Sequence, residues 1–306
     1  MDDIKTQAAK LAFTLRVTWK ASDDKRDSGL STPDTIQRDD NIRYDKIDKL
    51  QILDVYRPKS LINNDKKLPV IVSVHGGGWV YGTKETYQFY CMNLSEQGFA
   101  VVNFSYRLAP EYKYPSQIED INSVFKWVYG NKDKYNFDVN NVFAVGDSAG
   151  ANLLSIYCCM LTNENYASTI KFSLQTNIIP NAIALNCGRY RCYNINEEGE
   201  ENKLRLHCLL DNVTIETRKL ISPDLAITGK FPTTFLMSCY GDHLSNEYFY
   251  MKKILENNGV KFVGKYYGTE EEPLFHVFHC DIRNPVAKLC NKEEIAFFKE
   301  NLKYDY

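Results

Sequence analysis

The stretch NVFAVGDSAGANLLSIYCCML occupies residues 141–161 and joins two apolar runs through a turn of small residues. The first run, residues 141–145, has the β-branched and aromatic side chains typical of a buried strand. The second, residues 149–161, is long enough to be a helix. The motif GDSAG, residues 146–150, lies between them. The pattern predicts a strand that turns sharply into a helix, with Ser148 in the turn.

A serine in such a turn projects its hydroxyl above the sheet, where it can attack an electrophile. The N-terminus of the following helix contributes unpaired N–H groups and the positive end of its dipole. The pattern GxSxG alone occurs often by chance, but a strand before it and a helix after it make it informative. The context therefore favours a catalytic role for Ser148 over a tight turn that happens to contain serine.

A second glycine-rich motif, HGGGW at residues 75–79, directly follows another strand-like apolar run. Ordering a glycine on folding costs more conformational entropy than ordering other residues, and glycine has no side chain to pack. Three consecutive glycines therefore indicate a specific structural or functional requirement. Attack of Ser148 on a carbonyl creates an oxyanion, and each backbone N–H aimed at it is worth roughly 3 kcal/mol. The predicted donors are Gly77, Gly78 and Ala149. A phosphate-binding loop is the alternative, but HGGGW matches neither GxGxxG nor GxxxxGK[ST].

Strand-like and helix-like stretches alternate along most of the chain. This alternation predicts an α/β fold, a mostly parallel sheet with helices on both faces. The predicted strands are residues 49–56, 68–74, 99–106, 141–145, 182–186, 233–238 and 260–266, and the predicted helices are residues 86–97, 117–129, 149–161, 245–257 and 292–302.

The two segments outside this alternation are interpreted as a cap. The first 20 residues predict an amphipathic helix, and residues 21–41 are polar and predict a loop. Residues 187–230 are too long for a simple connection and predict a helical insertion over the sheet. We therefore divide the chain into a cap segment, residues 1–48, and a catalytic domain, residues 49–306, with a cap insertion at about 188–230. The expected packed side of the first helix contains Ile4, Ala8, Leu11, Phe13 and Leu15.

Composition excludes several classes of partner. The 306 residues include 37 basic and 39 acidic side chains without a long basic block, which argues against nucleic acid or an anionic membrane as a partner. The N-terminus lacks the pattern of a signal peptide, and no run approaches the ~18 apolar residues of a membrane span. We therefore expect a cytoplasmic protein. Nine cysteines without a CxxC pair favour reduced, buried thiols over a zinc or redox site.

The motifs HGGGW, YRLAPE at residues 106–111 and GDSAG, in this order, resemble the hormone-sensitive-lipase-like family of α/β-hydrolase esterases. The resemblance covers the chain from about residue 49 to its end. It implies an eight-stranded, mostly parallel sheet with a helical cap. It also implies a serine carboxylesterase for short-chain acyl esters of small molecules, with no metal or organic cofactor. Many relatives dimerise, so a homodimer is compatible with the resemblance.

The same resemblance assigns the partners of the serine. In this fold the chain order is Ser, then Asp or Glu, then His. The stretch CYGDHLSNE resembles the family segment that contains the catalytic aspartate, which implies that Asp242 orients the histidine. His276-Val277-Phe278 matches the family histidine motif better than His279, the alternative, although valine replaces the usual glycine or alanine. The implied triad is Ser148, His276 and Asp242.

Three other functions remain open at this point. An amidase or formamidase, or a deacetylase of acetylated sugars, would use the same triad, because the triad serves acyl transfer in general. A catalytically inactive binding protein could also use this fold. Such a protein would usually lack a member of the triad, and all three residue types are present here.

Overall fold

The computed structural model describes residues 3–62, 66–193 and 199–303, and its strands form a single sheet. In chain order the strands are β1 Ile36–Arg43, β2 Ile52–Pro58, β3 Leu68–Val74, β4 Ala100–Phe104, β5 Phe137–Asp147, β6 Ala182–Asn186, β7 Thr233–Cys239 and β8 Phe262–Tyr267. Their spatial order is β1-β2-β4-β3-β5-β6-β7-β8. The pairs β1–β2 and β2–β4 are antiparallel, and the other pairs are parallel. The predicted eight-stranded, mostly parallel α/β-hydrolase sheet is confirmed.

Helices cover both faces of this sheet. They are α1 Ile4–Asp27, α2 Lys59–Ile62, α3 Lys84–Ser95, α4 Ser116–Gly130, α5 Lys132–Tyr135, α6 Ala149–Thr162, α7 Glu164–Ala167, α8 Gly199–Leu209, α9 Ile215–Leu220, α10 Ser245–Asn257 and α11 Pro285–Glu300. Alternate residues of β3 face opposite sides, as the pleat requires. Val70 and Val72 lie in the core that also contains residues of α4, α6 and α10, whereas Ile71 lies in the core of α3 and α11.

The loop predicted over residues 21–41 is wrong, because α1 continues to Asp27 and β1 begins at Ile36. The sequence of β1, IQRDDNIR, lacks the apolar alternation of a strand. As an edge strand that pairs only with β2, it leaves most of its side chains partly or fully exposed. An antiparallel edge strand with solvent on one face can therefore be charged.

Helix α11 begins at Pro285, well before the predicted start at residue 292. The side chain of Asn284 accepts hydrogen bonds from the N–H groups of Val286 and Ala287, at 2.8 and 3.4 Å. Asparagine at the N-cap followed by proline at the first helical position is a start signal readable in the sequence. The apolar periodicity alone placed the start too late.

Helix α1 packs with Ala8, Ala12 and Leu15 buried. Phe13 is 70% exposed and Ile4 is 38% exposed, so the prediction that these two residues face the packed side is wrong. Helix α1 contacts α8 from the second predicted cap segment. It is also attached to the hydrolase-type core through Arg16. The Arg16 guanidinium donates to the Val80 carbonyl at 2.8 Å and to the Glu111 carboxylate at 2.6 and 2.7 Å.

All nine cysteines lie within the described ranges, and each is buried with a free thiol. The predicted burial of the thiols is confirmed. Among the helices of the described residues, none is both long enough and apolar enough to cross a membrane.

A buried carboxyl group links α11 to the central sheet. The Tyr90 hydroxyl donates to Glu294 Oε1 at 2.7 Å, and Asn186 Nδ2 donates to Glu294 Oε2 at 2.7 Å. Burial raises the pKa of Glu294 to about 7. Between its ordinary value and about pH 7, the folded protein therefore holds a proton that the unfolded chain has lost. The contribution of Glu294 to stability must fall as the pH rises through this window.

We expect Glu294→Gln to remove this pH dependence, because glutamine has no proton to lose. Urea unfolding at pH 5 and pH 8 should show that the variant gains stability relative to the wild type as the pH rises, by up to about 3 kcal/mol. Glu293→Gln is the control. Burial would raise the pKa of Glu293, but hydrogen bonds from Lys265 and Tyr267 outweigh it and lower the pKa. An equal effect of Glu294→Gln at both pH values would contradict the expectation.

Candidate active site

Ser148 occupies a strained turn between β5 and α6, with φ 51° and ψ −119°. A non-glycine residue in this region is uncommon and is held there only by its surroundings. The flanking glycines show what holds it. A Cβ on Gly146 would lie 2.7 Å from the carbonyl oxygen of Gly150. A Cβ on Gly150 would lie 2.1 Å from the carbonyl oxygen of Val74. Only glycine permits this close approach of β5, α6 and the end of β3.

The three side chains of the predicted triad lie in one hydrogen-bonded series. His276 Nε2 is 2.9 Å from Ser148 Oγ, and His276 Nδ1 is 2.8 Å from Asp242 Oδ1. The Asp242 carboxylate is itself held by Ser238 Oγ at 2.9 Å and by the Leu244 N–H at 2.8 Å. The structure therefore brings together a hydroxyl, an imidazole and a carboxylate that come from three different loops.

The Asp242 carboxylate is buried but stays ionised. Burial would raise its pKa, but the hydrogen bond from His276, together with those from Leu244 and Ser238, outweighs this and lowers the pKa below its ordinary value. An ionised carboxylate beside Nδ1 favours the imidazole tautomer with its proton on Nδ1. That tautomer leaves the lone pair of Nε2 directed at Ser148.

The alternative histidine, His279, is located in the core behind the site. It is buried, packs edge-on against Tyr90, and has its Nε2 3.6 Å from Cys280 Sγ. Burial lowers the pKa of His279 to about 3. His276 is followed by Val277 at φ 55°, the left-handed region that β-branched residues rarely adopt. This geometry explains why a glycine fits the position after the histidine more easily.

The HGGGW motif forms a tight turn beside Ser148. Gly77 and Gly78 have φ values of 107° and 58°, and a Cβ on Gly77 would lie 2.1 Å from the Tyr81 carbonyl oxygen. Ala149 is the first residue of α6, so its N–H has no acceptor within the helix. Gly77, Gly78 and Ala149 all line the same cavity as Ser148.

The buried side chain of Tyr87 supports this turn from below. The Tyr87 hydroxyl accepts a hydrogen bond from the Gly76 N–H at 3.2 Å and donates to Asp147 Oδ2 at 2.6 Å. Burial raises the pKa of Asp147 to about 7. The residue beside the nucleophile therefore has a structural partner and does not reach His276 through a hydrogen bond among the described residues.

The cavity above Ser148 has a volume of about 790 Å³. Its wall includes Trp19 and Asp23 from α1, Arg205 from α8 and the exposed Phe275. The Arg205 guanidinium lies 5.9 Å from the Trp19 ring centroid, close above the Gly78 backbone. Part of the predicted insertion, residues 194–198, lies outside the described residues.

The chain belongs to the BD-FAE family, whose model matches residues 53–246, more than half of the chain. It is an α/β-hydrolase of the hormone-sensitive-lipase-like type, as the motifs predicted. It is 30% identical over 144 residues to the esterase LipC of Mycobacterium tuberculosis, an alignment that covers 47% of this chain and 35% of LipC. It is 25% identical over 221 residues to the versiconal hemiacetal acetate esterase of Dothistroma septosporum, covering 67% of this chain and 66% of that protein.

The fold matches that of a solved esterase. The crystal structure of esterase B from Lactobacillus rhamnosis superposes with a TM-score of 0.86 at 24% identity, covering 97% of this chain and 96% of that one. At this level of identity the match establishes the shared fold. The chain spans less than two thirds of the length of the curated relatives named above.

We expect Tyr87→Phe to destabilise the protein by about 1–3 kcal/mol, because it removes the hydroxyl that donates to the buried Asp147 carboxyl and accepts from the Gly76 N–H. The measurement is the free energy of urea unfolding. Tyr81→Phe is the matched control, since Tyr81 also donates to a carboxylate, that of Asp23 at 2.7 Å, but is only partly buried. A loss from Tyr87→Phe no larger than that from Tyr81→Phe would refute this role for Tyr87.

Proposed function

We propose that the protein is a serine carboxylesterase that hydrolyses short-chain acyl esters of small molecules through an acyl-enzyme intermediate. The observation that carries this proposal is the hydrogen-bonded series of Ser148, His276 and Asp242 at the floor of a cavity. The esterases among the relatives support the same reaction class. An inactive binding protein is less favoured, because it has no need of this series.

In the proposed acylation, Ser148 Oγ attacks the ester carbonyl carbon while His276 Nε2 takes the hydroxyl proton. The electron pair of the carbonyl double bond moves to its oxygen. The Gly77, Gly78 and Ala149 N–H groups would donate to this oxyanion, where preorganised donors have their largest effect. Asp242 would stabilise the imidazolium that forms. The C–O bond to the alcohol then breaks, and His276 returns the proton to the leaving oxygen.

Deacylation would repeat these steps with water. His276 takes a proton from the water as it attacks the acyl carbon, and the proton passes to Ser148 Oγ as the C–O bond to serine breaks. The products are the free acid and the regenerated enzyme. Each step uses side chains of this chain alone.

We also propose that α1 and the insertion at about 188–230 form the cap, and that the cap favours small acyl groups. Trp19 and Arg205 come from these two segments and narrow the cavity above Gly78. The name of the Dothistroma relative specifies an acetate ester, which makes acetyl esters the first class to test. Amides and acetylated sugars would use the same catalytic groups. The cytoplasmic location and the homodimer remain predictions.

We expect the wild type to hydrolyse nitrophenyl acetate and butyrate faster than the octanoate, and Ser148→Ala to lower the rate by a factor of at least about 10³. Ser168→Ala is the control, because Ser168 is an exposed serine at the end of α7. Release of nitrophenolate measures each rate. Equal rates in the wild type and Ser148→Ala would refute the assignment of the nucleophile, and a preference for the octanoate would refute the short-chain specificity.

A further inference from the structure

We propose that Cys187, Asp242 and His276 form an inhibitory site for Zn²⁺ on the Nδ1 side of the catalytic histidine. Each of these residues offers one ligand atom, a sulfur, a carboxylate oxygen or an imidazole nitrogen. The three ligand atoms all lie within 4.8 Å of one another. Cys187 has no role in the proposed esterase mechanism.

The sheet itself brings these groups together. Cys187 directly follows β6, and Asp242 lies in the loop after β7, the neighbouring parallel strand. The backbone at Cys187 has φ 48°, and its N–H donates to the Met237 carbonyl at 2.8 Å. The buried thiol is thus held at the same edge of the sheet as the carboxylate. His276 comes from the loop after β8 and completes the group.

The donor set is one that zinc prefers. A thiolate, an imidazole and a carboxylate provide three protein ligands and leave a fourth tetrahedral position for water. Soft sulfur and imidazole ligands select Zn²⁺ over Mg²⁺ and Ca²⁺. A hydrogen bond with Cys239 and burial raise the pKa of the Cys187 thiol, so it must lose its proton as the metal binds. The resulting thiolate and the Asp242 carboxylate then balance the charge of the ion. Ser238 Oγ holds Asp242 Oδ2 at 2.9 Å, the kind of supporting hydrogen bond that orients a carboxylate ligand.

Of the three proposed ligands, His276 is the one that lines the cavity, so an ion would enter from that side. The His276 side chain lines the cavity and is 23% exposed, whereas Cys187 and Asp242 are buried behind it. An ion that reaches Nδ1 would displace the hydrogen bond between His276 and Asp242.

The expected inhibition rests on the proposed function. It follows from the position of the imidazole proton before and after the metal binds. The neutral imidazole has one proton, on Nδ1 when it faces Asp242. Metal binding breaks the Nδ1–H bond and the Cys187 S–H bond, and it forms three metal–ligand bonds, to Nδ1, to the Cys187 sulfur and to the Asp242 carboxylate. One released proton moves to Nε2 and the other to water, with no change in oxidation state. An imidazole with the metal on Nδ1 and a proton on Nε2 cannot accept the proton of Ser148. Substrate could still bind, so kcat should fall while KM stays nearly constant.

His243 and Asp242 could form an alternative zinc site at the surface. The experiment must distinguish it from the proposed site at Cys187. His243 is 60% exposed, with its Nδ1 3.6 Å from Asp242 Oδ1 and its ring centroid 4.4 Å from that of His276. Zinc bound between His243 and Asp242 would also inhibit. The variants Cys187→Ala and His243→Ala give opposite results for the two sites.

The first test is inhibition of nitrophenyl acetate hydrolysis by Zn²⁺ in metal-stripped protein, with each variant scaled to its own metal-free rate. We expect the zinc concentration for half inhibition to rise at least tenfold in Cys187→Ala and to stay within twofold of wild type in His243→Ala. Mg²⁺ should not inhibit. Cys187→Ser keeps the side-chain size and serves if the alanine variant does not fold. Equal inhibition in the wild type and the Cys187 variant, or relief in His243→Ala, would overturn the proposal.

A second test does not depend on activity. Co²⁺ bound by a thiolate gives a sulfur-to-cobalt charge-transfer absorption band in the near ultraviolet. We expect this band in the wild type and in Ser148→Ala, and its loss in Cys187→Ala or Cys187→Ser. A band that persists in the Cys187 variant, or no band in the wild type, would reject the site. Because this readout needs no substrate, it separates failure of the metal site from failure of the esterase proposal.

Discussion

The close contact among Gly146, Gly150 and the end of β3 is the constraint on which the rest of the site depends. A side chain at either glycine would occupy the space of a backbone carbonyl, as the 2.1 Å separation at Gly150 shows. This contact forces the chain to reverse direction at Ser148 and accept a positive φ there. It also brings the first turn of α6 beside the HGGGW turn, which follows β3. Serine oxygen and backbone donors are therefore adjacent because three backbone segments are packed together.

Buried polar groups stabilise the surroundings of this contact. Tyr87 connects the turn before Gly77 to Asp147, next to the nucleophile, and Glu294 connects α11 to Asn186 at the end of β6. Both carboxyl groups have raised pKa values because they are buried. Buried carboxyl groups add little apolar packing to the core. Their hydrogen bonds instead fix the positions of loops that apolar packing alone would not determine. Arg16 fixes the position of α1 in a similar way, because its guanidinium donates to the carbonyl of Val80, directly after the HGGGW turn.

The parts of the molecule that sequence could predict are those determined by local pattern. Strand β3 and strand β6 have the predicted bounds, and α6 begins at Ala149 as predicted, because each is a continuous apolar run bounded by small or polar residues. The pairing of His276 with Ser148 and Asp242 came from motifs that resemble those of a family. Their contact itself joins residues 34 and 128 positions apart. No local property of the chain encodes that distance.

The wrong or missing predictions have physical causes. Strand β1 was missed because an edge strand exposed to water can be built from charged residues. Phe13 was placed on the packed side of α1 because apolar character alone does not determine which face is covered. The buried hydrogen bonds of Tyr87 and Glu294 were not predicted because their partners lie 60 and 204 positions away along the chain. Cys187 resembled any other buried cysteine until the fold placed it beside Asp242.

Covalent labelling tests whether Ser148 is a nucleophile activated by His276. The protein is incubated with a nitrophenyl phosphonate ester, and the modified residue is located by peptide mass spectrometry. We expect one equivalent of phosphonate on Ser148, with labelling at least about a hundredfold slower in His276→Gln. Labelling of another residue would show that Ser148 is not the nucleophile, and an unchanged rate in His276→Gln would show that His276 does not activate it.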